Sequence, residues 1–411
     1  MEEEPLMRNG DAGAGDIVIV GAGIAGLATA LGLHRLGIRS IVLESSGQLR
    51  MTGSAFGTWA NAWVALDALG IGDTLRAQHV RHTGLVTNST VLGIQTSDVP
   101  SHSEHRCLKR KVILETLANE LPRGTIRFES KVVSMEETGC FKLLRLRDGS
   151  FINAKAVIGC DGVNSQVAKW LGFEKPVFDG RIAVRAYVNI EGGHGLDPKV
   201  FLFSGEGVRY GLVPCDDTCV YWFYSFTPSK QEEGIEKGPG EAKQFVLNNM
   251  GKVSDKVRNV IAKTDLDDVY VSPLRYRKPW EILLGNISKD NVSIAGDAFH
   301  PMTPELAQGA CAALEDAVVL ARCLGEALTQ GSKHESSKEE EYERIKTGLQ
   351  KYAQERKWRA ADLVTTAYML GLIQQSNFQL VRLMRDKVLS RHLAKMVVKK
   401  STFKCGDLKT A

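Results

Sequence analysis

The sequence predicts an α/β fold that combines a parallel sheet flanked by helices, an interleaved antiparallel β-sheet and C-terminal helices. Three observations predict it. A β-branched run from Ile17 leads into a glycine-rich turn, a helical stretch and a second β-branched run. Alternating strand-like runs fill residues 176–275. Helical patterns then return beyond residue 331.

Composition bounds the class of protein. With 411 residues, 43% hydrophobic and 24% charged, the chain is long enough for two or more domains. A net charge of +4 beside 52 basic and 48 acidic residues predicts no nucleic-acid partner. The eight cysteines form no CxxC pair or zinc-type cluster, so we expect no metal and reduced thiols in the cytoplasm.

The N-terminal region contains no predicted export or membrane signal. Residues 1–15 lack the apolar core of a signal peptide and the character of a transit peptide, so we expect a disordered lead-in. Residues 17–33 approach the length of a membrane span but are interrupted by glycines. No membrane span is predicted.

The first three predicted elements form a βαβ unit of the Rossmann type. Residues 17–20 form a predicted strand, a helix runs to about Leu36, and a second strand spans residues 40–43. In the G-x-G-x-x-G motif, Gly21 permits a tight turn, Gly23 lets a pyrophosphate approach the backbone, and Gly26 lets the helix pack on the strand. The unit predicts a dinucleotide site at the helix N-terminus.

An acidic residue follows at the expected distance. Glu44 follows the second strand, where its carboxylate can accept hydrogen bonds from the ribose hydroxyls of an adenosine. The same carboxylate would repel a 2′-phosphate. The motif alone leaves FAD and NAD equally open.

Two later strand-to-turn junctions favour FAD. One predicted strand ends before Asp161 and Gly162, and another ends at Gly296 and Asp297. Because the carboxyl ends of strands in a doubly wound sheet meet at one crevice, both junctions should lie near the glycine motif. Asp297 could accept bonds from a ribityl chain. The amides of residues 309 and 310 could stabilise negative charge on a reduced flavin ring. Each aspartate alone is equally well explained as a turn residue.

Three motifs in order complete a resemblance: GAGIAG at 21–26, CDGVNS at 160–165 and GDAFHPMTP at 296–304. Together they resemble the FAD-dependent aromatic hydroxylases of the p-hydroxybenzoate hydroxylase type, in the branch with salicylate hydroxylases, zeaxanthin epoxidase and related plant monooxygenases. The resemblance spans residues 15 to about 330 and implies a glutathione-reductase-like FAD-binding domain. With the motif residues, the cofactor-binding set is Gly21, Ala22, Gly23, Ile24, Ala25, Gly26, Glu44, Ser45, Arg110, Val132, Asp161, Gly162, Gly296, Asp297, Gly309 and Ala310.

The chain departs from the family pattern at two positions. An arginine usually follows the serine of the second motif by three residues, and Ala168 stands there. The family often has a Gly-Gly pair where this chain has Gly309 and Ala310. These changes bear on nicotinamide docking and on the room beside the flavin ring.

The resemblance also implies the reaction. NAD(P)H reduces FAD, O2 adds at flavin C4a, and the hydroperoxide passes one oxygen atom to a small aromatic, phenolic or polyene substrate. A second G-x-G-x-x-G unit is missing, since Gly205 and Gly207 lack a third glycine. We therefore expect transient NAD(P)H docking rather than a dedicated domain.

The middle of the chain should supply the substrate pocket. Alternation places Arg185 and Tyr187 on one face of their strand and Trp222 and Tyr224 on one face of theirs. Arg185 could anchor a carboxylate or phenolate, although an exposed arginine is an equal explanation, and the aromatic residues are also explained by core packing. His300 is a candidate proton-transfer group or a loop histidine bonded to backbone. The predicted substrate residues are Arg185, Tyr187, Tyr210, Trp222, Tyr224, Pro301 and Met302.

The predicted organisation is discontinuous. The FAD-binding domain takes 16–80, 105–175 and 276–330, the substrate domain takes 81–104 and 176–275, and the C-terminal helical region is 331–411. We expect a monomer or weak homodimer. A flavin oxidase or reductase, or a non-catalytic flavin-binding regulatory protein, is the alternative function. The halogenase motif W-x-W-x-I-P is absent.

Overall fold

The computed structural model describes residues 16–50, 55–228, 238–329, 337–374, 396 and 398–408. The predicted lead-in (1–15) lies outside the described residues. So do residues 331–336, 375–395, 397 and 409–411 of the predicted C-terminal helical region.

The described ranges contain both strands and α-helices. The strands are β1 (Asp16–Val20), β2 (Ser40–Leu43), β3 (Ala55–Trp59), β4 (Gly84–Ser89), β5 (Ile94–Pro100), β6 (His105–Lys109), β7 (Ile126–Arg127), β8 (Val132–Thr138), β9 (Phe141–Leu146), β10 (Phe151–Gly159), β11 (Val177–Asn189), β12 (Lys199–Ser204), β13 (Val208–Pro214), β14 (Cys219–Phe226), β15 (Tyr270–Tyr276), β16 (Ser288–Lys289) and β17 (Val292–Ile294). The helices are α1 (Ile24–Arg35), α2 (Ala60–Ala68), α3 (Gly72–Arg76), α4 (Arg110–Asn119), α5 (Gln166–Trp170), α6 (Pro239–Asn248), α7 (Asp255–Ala262), α8 (Pro279–Leu284), α9 (Gly309–Thr329) and α10 (Lys338–Gln374).

The first sheet has a parallel centre. Within the described ranges its order is β16-β17-β10-β1-β2-β7, with β9 on β10 and β8 on β9. Strand β1 pairs in parallel with both β2 and β10, and β10 pairs in parallel with β17. The carboxyl ends of β1, β10 and β17 therefore lie side by side.

Helices cover this sheet because its strands are apolar on both faces. Ile17, Val18 and Ile19 are all buried. Helix α1 packs against α9 and α4, and α9 packs against α10. Sheet and helices share one large core.

The second sheet is mostly antiparallel. In the part of the chain that the structure describes, its order is β15-β11-β14-β13-β12-β4-β5, and only β12 and β4 pair in parallel. One face packs on α6 and α7 to form a second core that contains Trp222 and Tyr224. The opposite face looks toward the first sheet. Strands β3 and β6 form a two-stranded ribbon that contacts α2 and α9 and packs on the second sheet through Ala55 and Cys107.

The predicted fold class is confirmed, with adjusted boundaries. Within the predicted strand-like region 176–275, residues 199–214 form two strands, β12 and β13, because residues 205–207 form the turn of a hairpin. The strand predicted before Asp161 begins at Phe151, where it pairs with β9. The second sheet also recruits β4 and β5 from residues 84–100.

Candidate functional site

A cavity of about 400 Å³ lies between the two sheets. The carboxyl ends of the parallel strands and the N-terminus of α9 bound one side. The inner face of the second sheet bounds the other. Residues from both sides line one continuous space.

The glycine turn after β1 needs its three glycines for different reasons. Gly21 has φ +104°, and a Cβ there would lie 2.5 Å from the carbonyl oxygen of Cys160. A Cβ on Gly26 would lie 1.9 Å from the Gly21 carbonyl oxygen. A Cβ on Gly23 would meet no protein atom within 4 Å, and Gly23 lines the cavity. The turn is thus tight toward the protein and open toward a ligand.

Glu44 fixes this turn from the neighbouring strand. Its Oε2 accepts the backbone N–H of Ala22 at 2.9 Å, and its Oε1 accepts that of Ser46 at 2.9 Å. The Ser45 hydroxyl donates to Oε1 at 3.2 Å. The carboxylate is nearly buried. Its bond to a ribose remains a prediction.

Asp161 does not line the cavity. Its carboxylate accepts the Ser165 hydroxyl at 2.5 Å and the Gln166 amide at 2.6 Å, so it satisfies a first-turn amide of α5, whose N-cap is Ser165. Burial raises the pKa of Asp161 above its ordinary value, although these bonds oppose the shift. Its neighbour Gly162 does line the cavity. Contact of Asp161 itself with a cofactor stays a prediction.

The alanine at 168 belongs to the same turn. Its amide donates to the Ser165 hydroxyl at 2.8 Å, and its side chain is buried in the main core. Val132 likewise lies in that core, at the start of β8, and not among the cavity residues.

Asp297 and Arg110 bring opposite charges to the lining of the cavity. Asp297 follows Gly296, whose φ of +59° turns the chain after β17. Arg110 begins α4. Both line the cavity. Burial lowers the pKa of Arg110, and the negative charge of Asp297 opposes that shift.

The N-terminus of α9 also faces the cavity. Gly309 and Ala310 line it, as do Ile24 and Ala25 at the start of α1. First-turn amides of a helix lack carbonyl partners within that helix, and they create a positive potential. Two helix starts therefore direct N–H groups toward the same space.

The second sheet supplies a wall of alternating side chains. Arg185 of β11, Arg209 of β13 and Phe223 of β14 lie on its inner face. Tyr221 and Ser225 line the cavity on the same strand as Phe223. The far end of the wall, from β4 and β12, includes Leu85, Thr87, Asn88, Val200, Leu202 and Ser204.

Arg209 and Glu305 place charge deep in this wall. Arg209 is 4% exposed and Glu305 2%. Arg209 Nη2 donates to the Glu305 carbonyl oxygen at 3.4 Å, and its guanidinium lies 5.2 Å from the centre of the Phe223 ring. The Glu305 carboxylate pairs with Arg181 at 2.6 Å. Burial lowers the pKa of Arg209.

In the cavity wall, two guanidinium nitrogens of the described residues are buried without a hydrogen-bond partner. They are Nη1 of Arg209 and Nε of Arg185. Arg185 is otherwise held by the hydroxyl of Ser272. Since a buried donor gains stability from a partner, an acceptor group on a ligand in the cavity would satisfy them.

Three predicted substrate residues lie on the wrong face. Tyr210 donates to the Met250 carbonyl at 2.8 Å, Trp222 donates to Thr264 Oγ1 at 2.8 Å, and Tyr224 donates to the Asn249 carbonyl at 3.0 Å. All three side chains pack in the second core, away from the cavity. Strand alternation grouped them correctly but does not say which face is the inner one.

Of the remaining substrate predictions, only Met302 and Arg185 line the cavity. Tyr187 packs beside it in a small cluster with Cys215 and Cys219. Pro301 is buried, and its carbonyl accepts the Arg277 amide at 3.0 Å.

His300 has an internal partner. It is fully buried and does not line the cavity. Its Nε2 lies 2.6 Å from Asp316 Oδ2, which also accepts the Gly296 amide at 2.9 Å. Arg356 Nε donates to the other oxygen of Asp316 at 2.7 Å. His300 therefore holds the loop that carries Asp297, and its role in proton transfer stays a prediction.

Sequence reasoning missed several cavity residues. They are His105, Arg209, Tyr221, Phe223, Ser225 and Glu305. The only available signal was alternation, which would have found the β13 and β14 residues had the opposite face been chosen.

The described ranges offer no candidate metal site and no candidate membrane-spanning helix. They contain no cluster of three or more metal-ligating side chains, and all eight cysteines are free thiols. None of the described helices is long and apolar enough to cross a membrane.

Known proteins resemble this chain over most of its length. A family model described as an FAD binding domain matches residues 15–367. "Monooxygenase 2" of Arabidopsis thaliana is 50% identical over 99% of this chain and 100% of its own. "3-hydroxybenzoate 6-hydroxylase" of Klebsiella oxytoca is 28% identical over 78% of this chain and 83% of its own.

A solved structure supports the same fold. HpxO of Klebsiella pneumoniae, complexed with FAD and uric acid, superposes with a TM-score of 0.80 at 22% identity. The match covers 97% of this chain and 98% of that one.

Proposed function

Because this chain belongs to the FAD binding domain family, we propose that it uses NAD(P)H and O2 to add one oxygen atom to a small aromatic or phenolic molecule. It is an FAD-dependent monooxygenase by family and by its relatives. The substrate class, the reductant and the roles of individual residues are our proposal.

One observation carries the proposal. The cavity joins three strand-to-turn junctions of the first sheet to the inner wall of the second. A cofactor held at the junctions would thus share one space with a substrate held against the wall. A shared space matters because oxygen transfer requires the substrate to be oriented beside the cofactor.

The residues present fit FAD. Gly23 and Gly162 leave open space where a Cβ would stand, and both line the cavity. The N-terminus of α1 and the Arg110 guanidinium suit the pyrophosphate, and Asp297 suits the ribityl hydroxyls. The N-terminus of α9 suits the ring, where N–H groups favour negative charge.

FAD, when bound, supplies the activation of oxygen, and the side chains position the substrate. Phe223 and Tyr221 offer ring surfaces for stacking. Arg185 and Arg209 offer donors to a carboxylate or phenolate oxygen. The 3-hydroxybenzoate named for one relative is a phenolic carboxylate, and this wall suits that class. FAD would fill part of the cavity of about 400 Å³, and the remaining space suits a ring better than a long polyene.

The proposed setting is the cytoplasm, as a monomer or weak homodimer. Eight free thiols, seven of them buried, support a reducing compartment.

A coupled assay tests the proposed function. The purified FAD-loaded enzyme is mixed with NADH or NADPH and a panel of hydroxybenzoates and phenols, and both reductant loss and H2O2 are measured. We expect at least one phenol to speed reductant oxidation by about tenfold or more, with little H2O2, since its binding supplies transition-state positioning. Oxidation that yields only H2O2 across the panel would favour an oxidase. If neither NADH nor NADPH reduced the bound flavin, the result would favour a non-catalytic flavin-binding protein.

A further inference from the structure

Two histidines form a buried pair beside the cavity. His82 precedes β4 and is 1% exposed, and His105 begins β6 and is 3% exposed. Their Nδ1 atoms lie 2.7 Å apart. No step of the proposed function uses either residue.

The contacts of the pair determine which nitrogen carries each proton. His82 Nε2 lies 2.7 Å from the Pro214 carbonyl oxygen, which can only accept, so His82 Nε2 is protonated. In a neutral ring the other nitrogen of His82, Nδ1, is then an acceptor. His105 Nδ1 must therefore donate to it, and His105 Nε2 is left without a proton.

Both rings are held neutral. Burial lowers the pKa of His82 to about 4, and it lowers that of His105 well below the ordinary range. The guanidinium of Arg106 opposes any positive charge on His82 as well. At neutral pH the pair keeps the arrangement that its geometry dictates.

The unprotonated Nε2 of His105 lies at the cavity wall. His105 lines the cavity, and a Cβ placed on Gly57 would stand 2.8 Å from its Nε2 and 3.5 Å from the Ala307 methyl. Gly57 and Ala307 both line the cavity too. The Trp59 ring packs on the imidazole at a centroid distance of 4.0 Å and fixes its plane.

This nitrogen complements the other polar groups of the wall. Guanidinium groups such as those of Arg185 and Arg209 can only donate hydrogen bonds. His105 Nε2, with its single lone pair, can only accept. A molecule that carries both an acidic oxygen and a hydroxyl or N–H would satisfy both kinds of group.

We propose that His105 is a specificity-determining residue whose Nε2 accepts a hydrogen bond from an O–H or ring N–H of the molecule in the cavity. The proposal rests on the proposed function, because it presumes an aromatic substrate beside FAD. The donor has two sources, a substrate hydroxyl and the imide N–H of the flavin. His82 acts as a positioning residue that fixes the tautomer of His105.

Paired ligands test the substrate source. FAD-loaded wild type and His105→Phe are titrated with 3-hydroxybenzoate and with 3-methylbenzoate, whose methyl group replaces the hydroxyl at similar size, and the flavin absorbance is followed. We expect wild type to prefer the hydroxyl compound by about tenfold, the worth of one buried hydrogen bond. The preference should vanish in His105→Phe and return in part in His105→Gln, which keeps an acceptor.

The cofactor source has its own arm. The dissociation constant of FAD is measured by reconstituting the apoprotein of each variant. A rise of about tenfold in His105→Phe, with the ligand preference unchanged, would assign the bond to the flavin N–H. His105→Met, with its adaptable side chain, replaces the Phe variant if that one does not fold.

Two results separate the failures. If both ligands bind, and neither the preference nor the FAD affinity changes in the variant, the His105 proposal is overturned while the proposed function stands. If wild type binds neither benzoate, the phenolic-acid substrate class fails. In that case an unchanged FAD affinity in His105→Phe overturns the His105 proposal as well.

Discussion

Charged side chains in the cavity wall are held by partners that the sequence places far away. Glu305 reaches Arg181, and Arg181 also bonds Asp179. Such a network keeps the Glu305 backbone beside Arg209, whose free Nη1 is the donor that a ligand should satisfy. At the scale of single residues, recognition thus depends on groups that are buried before the ligand arrives.

The buried His82 ring makes stability depend on pH. Its pKa is about 4 in the folded chain against an ordinary 6.5, so the unfolded chain binds the extra proton between those values. Stability from this group is complete above pH 6.5 and is lost as pH falls to about 4. The loss should reach about 3 kcal/mol, taking 1.36 kcal/mol per pKa unit as an upper bound.

Denaturant unfolding at several pH values measures this effect. Between pH 6.5 and 4 the unfolding free energy of wild type should fall more steeply than that of His82→Asn. His34→Asn, at an exposed position on α1, is the matched control and should follow wild type. Equal slopes for His82→Asn and wild type would show that His82 titrates normally.

Residue roles were predictable where a local rule fixes direction. The three glycines follow from strand, turn and helix order alone, and the structure gives each a separate steric reason. Trp222 and Tyr224 were misplaced because period-2 alternation is symmetric about the sheet. Only the helices α6 and α7, which cover one face, decide which face is left for the cavity. The carboxylate partner of His300 could not be predicted, because Asp316 lies on α9, outside the loop that carries His300.

At the scale of elements, the β1–turn–α1 unit separates two glycine functions. Gly26 lets α1 pack against its own turn, whereas Gly23 opens toward the cavity. The same unit is stapled from β2 by the Glu44 carboxylate. Folding and ligand access therefore depend on different atoms of one turn.

Alanine substitutions at these two glycines should have opposite consequences. Gly26→Ala places a methyl 1.9 Å from a carbonyl oxygen and should cost about 2 kcal/mol or more of unfolding free energy. Gly23→Ala meets no protein atom and should leave apoprotein stability within about 0.5 kcal/mol. Its methyl should nonetheless weaken FAD binding by about tenfold or more, because it fills the ligand's space.

Chemical unfolding of the apoprotein and FAD titration distinguish the two variants. Each variant serves as the control for the other, since the added group is the same. If Gly23→Ala bound FAD as tightly as wild type, the proposal that a phosphate of FAD lies against this turn would be contradicted.

At the scale of the whole molecule, the cavity is assembled from segments that are distant in sequence. Its walls come from residues near 23, 57, 110, 162, 185, 223 and 309. The strand-to-turn junctions at Gly21, Asp161 and Asp297 were predicted to meet, because the carboxyl ends of strands in a doubly wound sheet lie at one crevice. The second sheet's position over them depends on tertiary packing, so the substrate wall could not be read from local patterns.

Oxygen-isotope labelling tests the monooxygenase most directly. The FAD-loaded enzyme is incubated with NAD(P)H and a phenol that it accepts, under ¹⁸O2 in ordinary water. The mass of the product is then measured by mass spectrometry. We predict that the product gains one ¹⁸O atom per reductant oxidised. A product whose added oxygen comes from water, or ¹⁸O recovered only as H2O2, would contradict oxygen insertion in this cavity.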